Sequence, residues 1–461
     1  MGSRLAPRLS PGLQGSICMN KSNTEVPRSL LGAAKHATPA AGDREDGSGV
    51  GGPLGIYART DSAFEVIDEQ TGEITRFKLD EKTREYVQEL DPKRHRAERY
   101  ALKSIVNRLL PTSRTSKCCR WRIPKKALQV HRSTEHGKAF YSGLEVCASV
   151  WACPVCAAKI SERRRAELVT AVALAKSMGL HVKLLTLTVP HGIGDDLPML
   201  LEQIRKSWRS TSTSRAGQKL RKLLGIKGTI RALEVTHGQN GFHPHLHVLL
   251  FLEQDATNGC IQGLFAPLWQ NACVKAGLPR PSDAHGCRVD DGSYAAKYAS
   301  KWGLESELTK SHTKKGRNGS RTPWDFLRAV LERSEGWQQD AHLFRTYAES
   351  FKGQRQLYWS NGLRAFLALG EEATDEEVAA VQEDNARMLA ELTDDQWRAI
   401  LRTKSETIVL DMAEEHPEAL PVLLASILER SRRTTSGKPG AVSGVLSGAK
   451  PTEPAPGIPV T

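Results

Sequence analysis

The stretch Gly241–Leu252, GFHPHLHVLLFL, sets three histidines at alternate positions and follows them with an unbroken apolar run. Period two is the period of a β-strand. His243, His245 and His247 therefore share one face, while Leu246, Val248, Leu250 and Leu252 share the other. The apolar face has a core to pack against. The histidine face calls for a chemical reason. Just upstream, Gly228–His237 (GTIRALEVTH) reads as a second strand, and Gly238–Gly241 (GQNG) as turn chemistry, since Asn-Gly accepts positive φ at little cost. The stretch is then the returning strand of a hairpin.

Parity constrains what faces the histidines. With GQNG as the loop, Glu234 lies opposite His245; with Asn240-Gly241 as a two-residue turn, it lies opposite His247. Directly opposed residues share a face, with Cβ atoms about 4.5–5.5 Å apart. Either even loop puts a carboxylate beside two imidazoles, whereas an odd loop pairs Glu234 with Leu246 and dissolves the site. Two histidines and one carboxylate with open positions suit a divalent cation such as Mn, Mg or Zn. His245 and His247 are the firmer pair; His243 is either a third ligand or a flanking residue at the strand entrance, beside Pro244. The bland alternative, a solvated polar face, is the better reading for one histidine but not for three in register with a glutamate.

The chain has 461 residues, 39% hydrophobic and 6% aromatic, and a formal charge of +13. That length allows two or three domains, and that charge favours a polyanionic partner, here nucleic acid. No apolar run nears the roughly 20 residues of a membrane-spanning helix. The N-terminus lacks the apolar core of a secretory signal, so a cytoplasmic chain with no membrane partner is expected. Nine cysteines in such a chain favour metal or free thiols over disulfides. The glycine-rich run GSGVGGPLG lacks the Lys-Ser/Thr ending of a phosphate-binding loop, which argues against an ATP-driven motor.

Residues 1–55 and 434–461 read as disordered, being rich in Gly, Ser, Ala and Pro. Between them the expected division is a cysteine-bearing N-terminal region at 56–160, a core at 161–370 and a helical module at 371–433. Within the core, Arg163–Met178 reads as a helix, Leu180–His191 as a strand, and Leu197–Leu224 as helix broken near STSTSRAG. Helices are also expected over Leu264–Ala276 and Ser293–Trp302. Strand, helix, hairpin, helix in this order implies an α+β core, an antiparallel sheet with helices on one face.

In YAAKYASK, Tyr294 and Tyr298 stand at i and i+4 on one helical face, with Lys297 and Lys301 as a second such pair. A phenol, with a free pKa near 10, is a poor nucleophile unless a metal or lysine stabilises its oxyanion. Tyrosines at this spacing are often a core stripe; downstream of a metal hairpin they become specific. The loop-like KSHTKKGRNGSR that follows offers Lys314, Lys315 and Arg317 to DNA phosphates. Cys153-Pro-Val-Cys156 has zinc-knuckle spacing, and with Cys147 and one of the adjacent Cys118 and Cys119 it forms a four-thiolate set for structural zinc. Cys119 is assigned as the fourth ligand. Inert buried thiols are the alternative.

Taken together, LLTLTVPH, HPHLH and YAAKYASK, in this order, resemble the three motifs of the HUH endonucleases, and more narrowly the rolling-circle replication initiators of plasmids and single-stranded phages. LFRTYAESFKGQRQLYWSNGLRAFL adds to the likeness, which extends over about Lys117 to Leu367. The resemblance implies a small antiparallel sheet of ferredoxin or RNA-recognition type with the tyrosine helix across the metal face. It implies a metal, Mn or Mg, on His245, His247 and Glu234; Tyr298 as nucleophile, with Lys297 beside it; and Tyr294 as a second, alternating nucleophile. It implies nicking of one origin strand, a 5′-phosphotyrosine, and a 3′-hydroxyl primer, with helicase and polymerase supplied by the host. A similar cysteine cluster stands before the first strand in these relatives. Three rivals stand beside this reading: a histidine-triad nucleotide hydrolase, to which HPHLHVL also conforms; a non-catalytic zinc-stabilised DNA-binding regulator; and a single-strand transposase of the same chemical class.

Overall fold

A computed structural model of the protein describes residues 54–60, 63–68, 74–79, 86–89, 92–293, 295, 298, 320–380 and 385–436. The segments expected to be disordered, 1–55 and 434–461, lie outside these residues except at their inner ends. Tyr294, Lys297, Lys301, Lys314, Lys315 and Arg317 also lie outside the described residues.

The chain begins with an antiparallel meander of β1 (Leu54–Thr60), β2 (Ala63–Asp68), β3 (Ile74–Leu79) and β4 (Tyr86–Glu89). Helices α1 (Pro92–Leu109) and α2 (Arg114–Lys117) follow, then the hairpin strands β5 (Gln129–Ser133) and β6 (Ala139–Ser142). After α3 (Pro154–Ser177) comes β7 (His181–Leu187), then α4 (Leu197–Thr213), α5 (Arg215–Leu223), and the long hairpin β8 (Ile226–Gly238) and β9 (Gly241–Leu252). Next are α6 (Asn258–Lys275), β10 (Cys287–Asp290), α7 (Pro323–Glu332), α8 (Trp337–Ser350), β11 (Leu357–Trp359), α9 (Leu363–Phe366) and α10 (Asp375–Ala380). The chain ends with β12 (Ala386–Glu391), α11 (Asp394–Thr403), α12 (Glu406–Glu415) and α13 (Leu420–Ser436).

Two compact units result, and they do not follow the linear division expected from the sequence. One comprises residues 1–121 and 145–381; the other comprises 122–144 and 382–461. The cysteine-bearing segment thus belongs with the core rather than to a separate N-terminal region. The second unit is not purely helical either. Its three-stranded sheet runs β12-β5-β6, so a hairpin from early in the chain is completed by a strand from near its end.

The first unit is an α+β fold around a five-stranded antiparallel sheet ordered β10-β7-β9-β8-β11. Strand β9 lies at its centre because both its faces are apolar over the second half. Leu246, Val248, Leu250 and Leu252 join a cluster with Leu200, Leu201 and Ile204 of α4 and Ile261, Phe265 and Trp269 of α6. On the opposite face, the row occupied by His243, His245 and His247 continues as Leu249 and Phe251. These pack with Val182, Leu184 and Ile230 under Leu168, Ala171, Val172 and Ala175 of α3. Helices thus flank both faces: α3 covers the apolar half of the histidine face and leaves the histidine half to the site.

Local chemistry explains the boundaries. The expected break in the helical stretch falls at Ser214, whose side chain accepts a hydrogen bond from the Gly217 amide and caps α5. Asp196 caps α4 in the same way through the Met199 amide. The β8–β9 turn takes its positive φ, +84°, at Gly241 rather than at Asn240. A side chain there would also approach the Gly192 carbonyl at 3.1 Å.

Phe251 is fully buried at the centre of this sheet. Phe251→Ala is expected to destabilise the first unit by about 3–5 kcal/mol, read as a lowered urea midpoint; an unchanged midpoint refutes this packing.

Candidate functional site

Register decides what the site contains. Glu234 of β8 is the direct partner of His245 on β9, with Gly238 paired to Gly241, so the even loop GQNG sets the alignment. On the other side of β9, Thr186 of β7 is the partner of His247. Three adjacent strands thus offer Thr186, His247, His245 and Glu234 to one face at one end of the sheet.

The donor atoms of Glu234, His245 and His247 lie within 4.8 Å of one another. Glu234 Oε2 stands 3.6 Å from His245 Nε2 and 3.5 Å from His247 Nε2. Each imidazole is held from behind. His245 Nδ1 lies 3.2 Å from the His243 carbonyl, and His247 Nδ1 lies 3.0 Å from Thr186 Oγ1. When Nδ1 donates to these oxygens, both Nε2 atoms are left as the ligand nitrogens on the side of the carboxylate.

Tyr298 completes the constellation. It is half-buried against the α3 cluster, its ring centroid 4.8 Å from that of His247. Its hydroxyl donates to Glu234 Oε1 at 2.5 Å. The structure therefore brings together Glu234, His245, His247 and Tyr298 at one corner of the sheet, although Tyr298 is 64 residues from Glu234 in the chain.

Electrostatics in this corner are dominated by burial and by Glu234. Burial pushes the Glu234 carboxyl up, but the neighbouring His247 and His245 and the hydrogen bonds outweigh it and bring it down to about 2. Burial pulls His245 down, yet the Glu234 carboxylate prevails and its pKa is raised. For His247 burial wins and the pKa is lowered.

His243 does not join the three. Its ring turns to His191, in the loop after β7, with Nδ1 to Nδ1 at 3.2 Å and ring centroids 4.5 Å apart. His191 also reaches the Val189 carbonyl at 3.2 Å. The sequence signal for His191 was only its place at the end of LLTLTVPH, and loop geometry cannot be read from strand periodicity. Thr186, in the same motif, is likewise a strand residue whose tie to His247 appears only once β7 and β9 are paired.

The cysteines form a second cluster. The sulfurs of Cys118, Cys147, Cys153 and Cys156 all lie within 4.8 Å of one another and all four residues are buried. Here the structure departs from the assignment of Cys119. Cys119, with φ +55°, is only partly buried; its sulfur lies 3.6 Å from Cys118 Sγ but outside the set of four within 4.8 Å of one another, to which Cys118 belongs instead. Cys260, Cys273 and Cys287 lie elsewhere, none of them in a disulfide.

Comparison with known proteins agrees with the resemblance to plasmid replication proteins. The profile of the family described as "Replication protein" matches residues 142–407. "Protein rep" of Streptomyces lividans is 25% identical over 342 residues, covering 58% of this chain and 75% of that protein. A Streptomyces cyanogenus protein named "Neomycin resistance protein" is 31% identical over 163 residues, 29% of this chain and 37% of its own length. No solved structure matches.

Burial, then the charges of His245 and His191, lower the His243 pKa to about 4. Between about pH 4 and its unfolded value near 6.5, the unfolded chain binds the proton and the folded chain does not. Stability from this group therefore rises with pH across that window and is lost as pH falls through it. An NMR titration of His243 should show its midpoint near 4; an ordinary midpoint contradicts the burial seen here.

Proposed function

The chain belongs to the Replication protein family, and from that premise we propose that it initiates plasmid replication by nicking one DNA strand at an origin, with Tyr298 as the attacking nucleophile. The observation that carries this reading is the Tyr298 hydroxyl lying on the carboxylate that faces His245 and His247.

The donor set fits a divalent cation. Ligands about 2.0–2.2 Å from one ion stand roughly 3–3.6 Å apart, and the Glu234–histidine separations are 3.5 and 3.6 Å. Both Nδ1 atoms are engaged elsewhere, leaving Nε2 available, and a 2-His-1-carboxylate set keeps open positions. Glu234, His245 and His247 would hold Mn or Mg, which when bound supplies Lewis-acid charge beside a phosphate oxygen.

The residues of the chain do the rest. Tyr298 loses its proton and attacks the phosphorus. The bond from phosphorus to the 3′ oxygen breaks, the phosphate stays on tyrosine as a 5′-phosphotyrosine, and the 3′-hydroxyl is free to prime synthesis. No ATP enters, since one phosphodiester replaces another. The α3 cluster buttresses Tyr298, and Thr186 and the His243 carbonyl keep both imidazoles oriented, so the approach geometry is set in advance. Tyr294, four residues before Tyr298 in sequence, is proposed as the second nucleophile. Lys297 and Lys301 are proposed to steady the charge of phenolate and phosphate, and Lys314, Lys315 and Arg317 to contact the DNA backbone. In-line attack requires a single-stranded or extruded origin; a host helicase and polymerase complete the reaction cycle in the cytoplasm.

The test is a labelled single-stranded origin oligonucleotide incubated with the full chain and Mn or Mg. A covalent adduct mapping to Tyr298 is expected, lost in Tyr298→Phe and in His247→Ala. A histidine-triad hydrolase would hardly respond to Tyr298→Phe, so retained activity in that variant, or no adduct on any origin strand, overturns the proposal. Thr186→Val should keep the adduct but raise the metal concentration it needs by about 10–100-fold, measured by titrating Mn into the nicking assay; an unchanged requirement removes Thr186 from the site.

A further inference from the structure

Four buried sulfurs in mutual contact call for an explanation. Cys118 Sγ lies 3.4 Å from Cys156 Sγ, Cys147 Sγ 3.8 Å from Cys156 Sγ, and Cys153 Sγ 3.8 Å from Cys118 Sγ. None of the four is in a disulfide. A tetrahedron with metal–sulfur bonds of about 2.3 Å has sulfur–sulfur edges of about 3.8 Å; two of these three separations match that edge, the third is shorter, and all four sulfurs lie within 4.8 Å of one another. Neutral thiols have no comparable reason to converge, because S–H is a weak donor and sulfur a weak acceptor.

The backbone around the sulfurs is built alike at two places. Cys118 is followed by Cys119 at φ +55°, and Cys147 by Ala148 at φ +52°. A non-glycine residue in the left-handed region is disfavoured, and the fold accepts this twice, each time just after an inward-facing cysteine. The Ser149 amide donates to Cys147 Sγ at 3.5 Å, a bond that favours thiolate over thiol. Cys153 is the N-cap of α3 and Cys156 sits in its first turn, after Pro154 at the first helical position. Anionic sulfur is favoured there by the positive end of the helix dipole. Lys103, only 3% exposed, and Lys159 lie near enough to act on Cys119 through their charge.

We propose that Cys118, Cys147, Cys153 and Cys156 form a structural site for one zinc ion, closed to further ligands, with Cys119 outside it. On binding, four thiols release four protons to solvent and four thiolates hold Zn²⁺, leaving a net charge of −2. The site joins three separate pieces of the first unit: the end of α2, the segment at Cys147 and the start of α3. The first two are already laced by the Cys119 amide to the Glu145 carbonyl and the Glu145 amide to the Trp121 carbonyl, each at 2.8 Å. They are the two points between which residues 122–144 depart from and return to the first unit. Zinc would therefore clamp the root of that insertion. This inference stands apart from the nicking reading, since it uses none of the same residues.

The experiment is metal analysis of the full chain, purified under reducing conditions without chelator or added metal. About one zinc per chain is expected in the wild type and in Cys119→Ser, and a mercurial thiol reagent should release it. Cys118→Ser should lose it on dialysis against chelator. His245→Ala/His247→Ala should keep it, which separates this site from the histidine cluster. Cobalt in place of zinc should give the intense sulfur-to-metal charge-transfer bands of a four-thiolate tetrahedral site in the wild type and in Cys119→Ser. A wild-type chain free of zinc, a cobalt form without those bands, or zinc lost from Cys119→Ser and kept by Cys118→Ser overturns the proposal. The wild-type measurements decide even where a cysteine variant fails to fold.

Discussion

The pairing of β8 with β9 is the constraint on which the candidate site depends. A side chain alternates faces at every residue, so a slip of one position would carry Glu234 to the opposite side of the sheet from both histidines. The turn holds the alignment: Gly241 at φ +84° closes it, and the Gly192 carbonyl 3.1 Å from where a Cβ would stand leaves no room for a larger residue. The apolar face of β9 holds it a second time, because the same slip would bring Leu246 and Val248 out of the core and His245 and His247 into it. Core and site are thus specified by one alignment, and the cost of exposing leucine guards the position of the carboxylate.

Much of this was legible in the residue order. Alternation in GFHPHLHVLLFL predicts the strand and its two faces, and parity restricts Glu234 to one of two partners, of which the structure takes His245. Ser214 ends one helix and caps the next where STSTSRAG predicts a break. Period and turn chemistry are local properties, and these features needed nothing else.

What could not be read was non-local or turned on a single dihedral. Cys118 and Cys119 are adjacent and chemically identical; which of them joins the other three sulfurs depends on the local backbone, where Cys119 takes a positive φ of +55°. The covering of Leu249 and Phe251 by α3, and the tie from Thr186 to His247, follow from packing between elements distant in sequence. The linear domain division failed to anticipate the second unit for the same reason. Nothing in QVHRS announces that its partner is ARMLAE.

That last pairing bears on how the chain acquires its structure. Gln129 and Glu391, joined by a side-chain hydrogen bond across β5 and β12, are 262 residues apart. At a synthesis rate of about 5–20 residues per second, the β5–β6 hairpin waits on the order of 13–50 s before its third strand leaves the ribosome. Through that interval β5 presents an open edge, the kind of surface that recruits strands from other molecules. The β5–β6 hairpin thus completes its sheet long after it is made, and that assembly is paced by translation rather than by the speed at which strands pair.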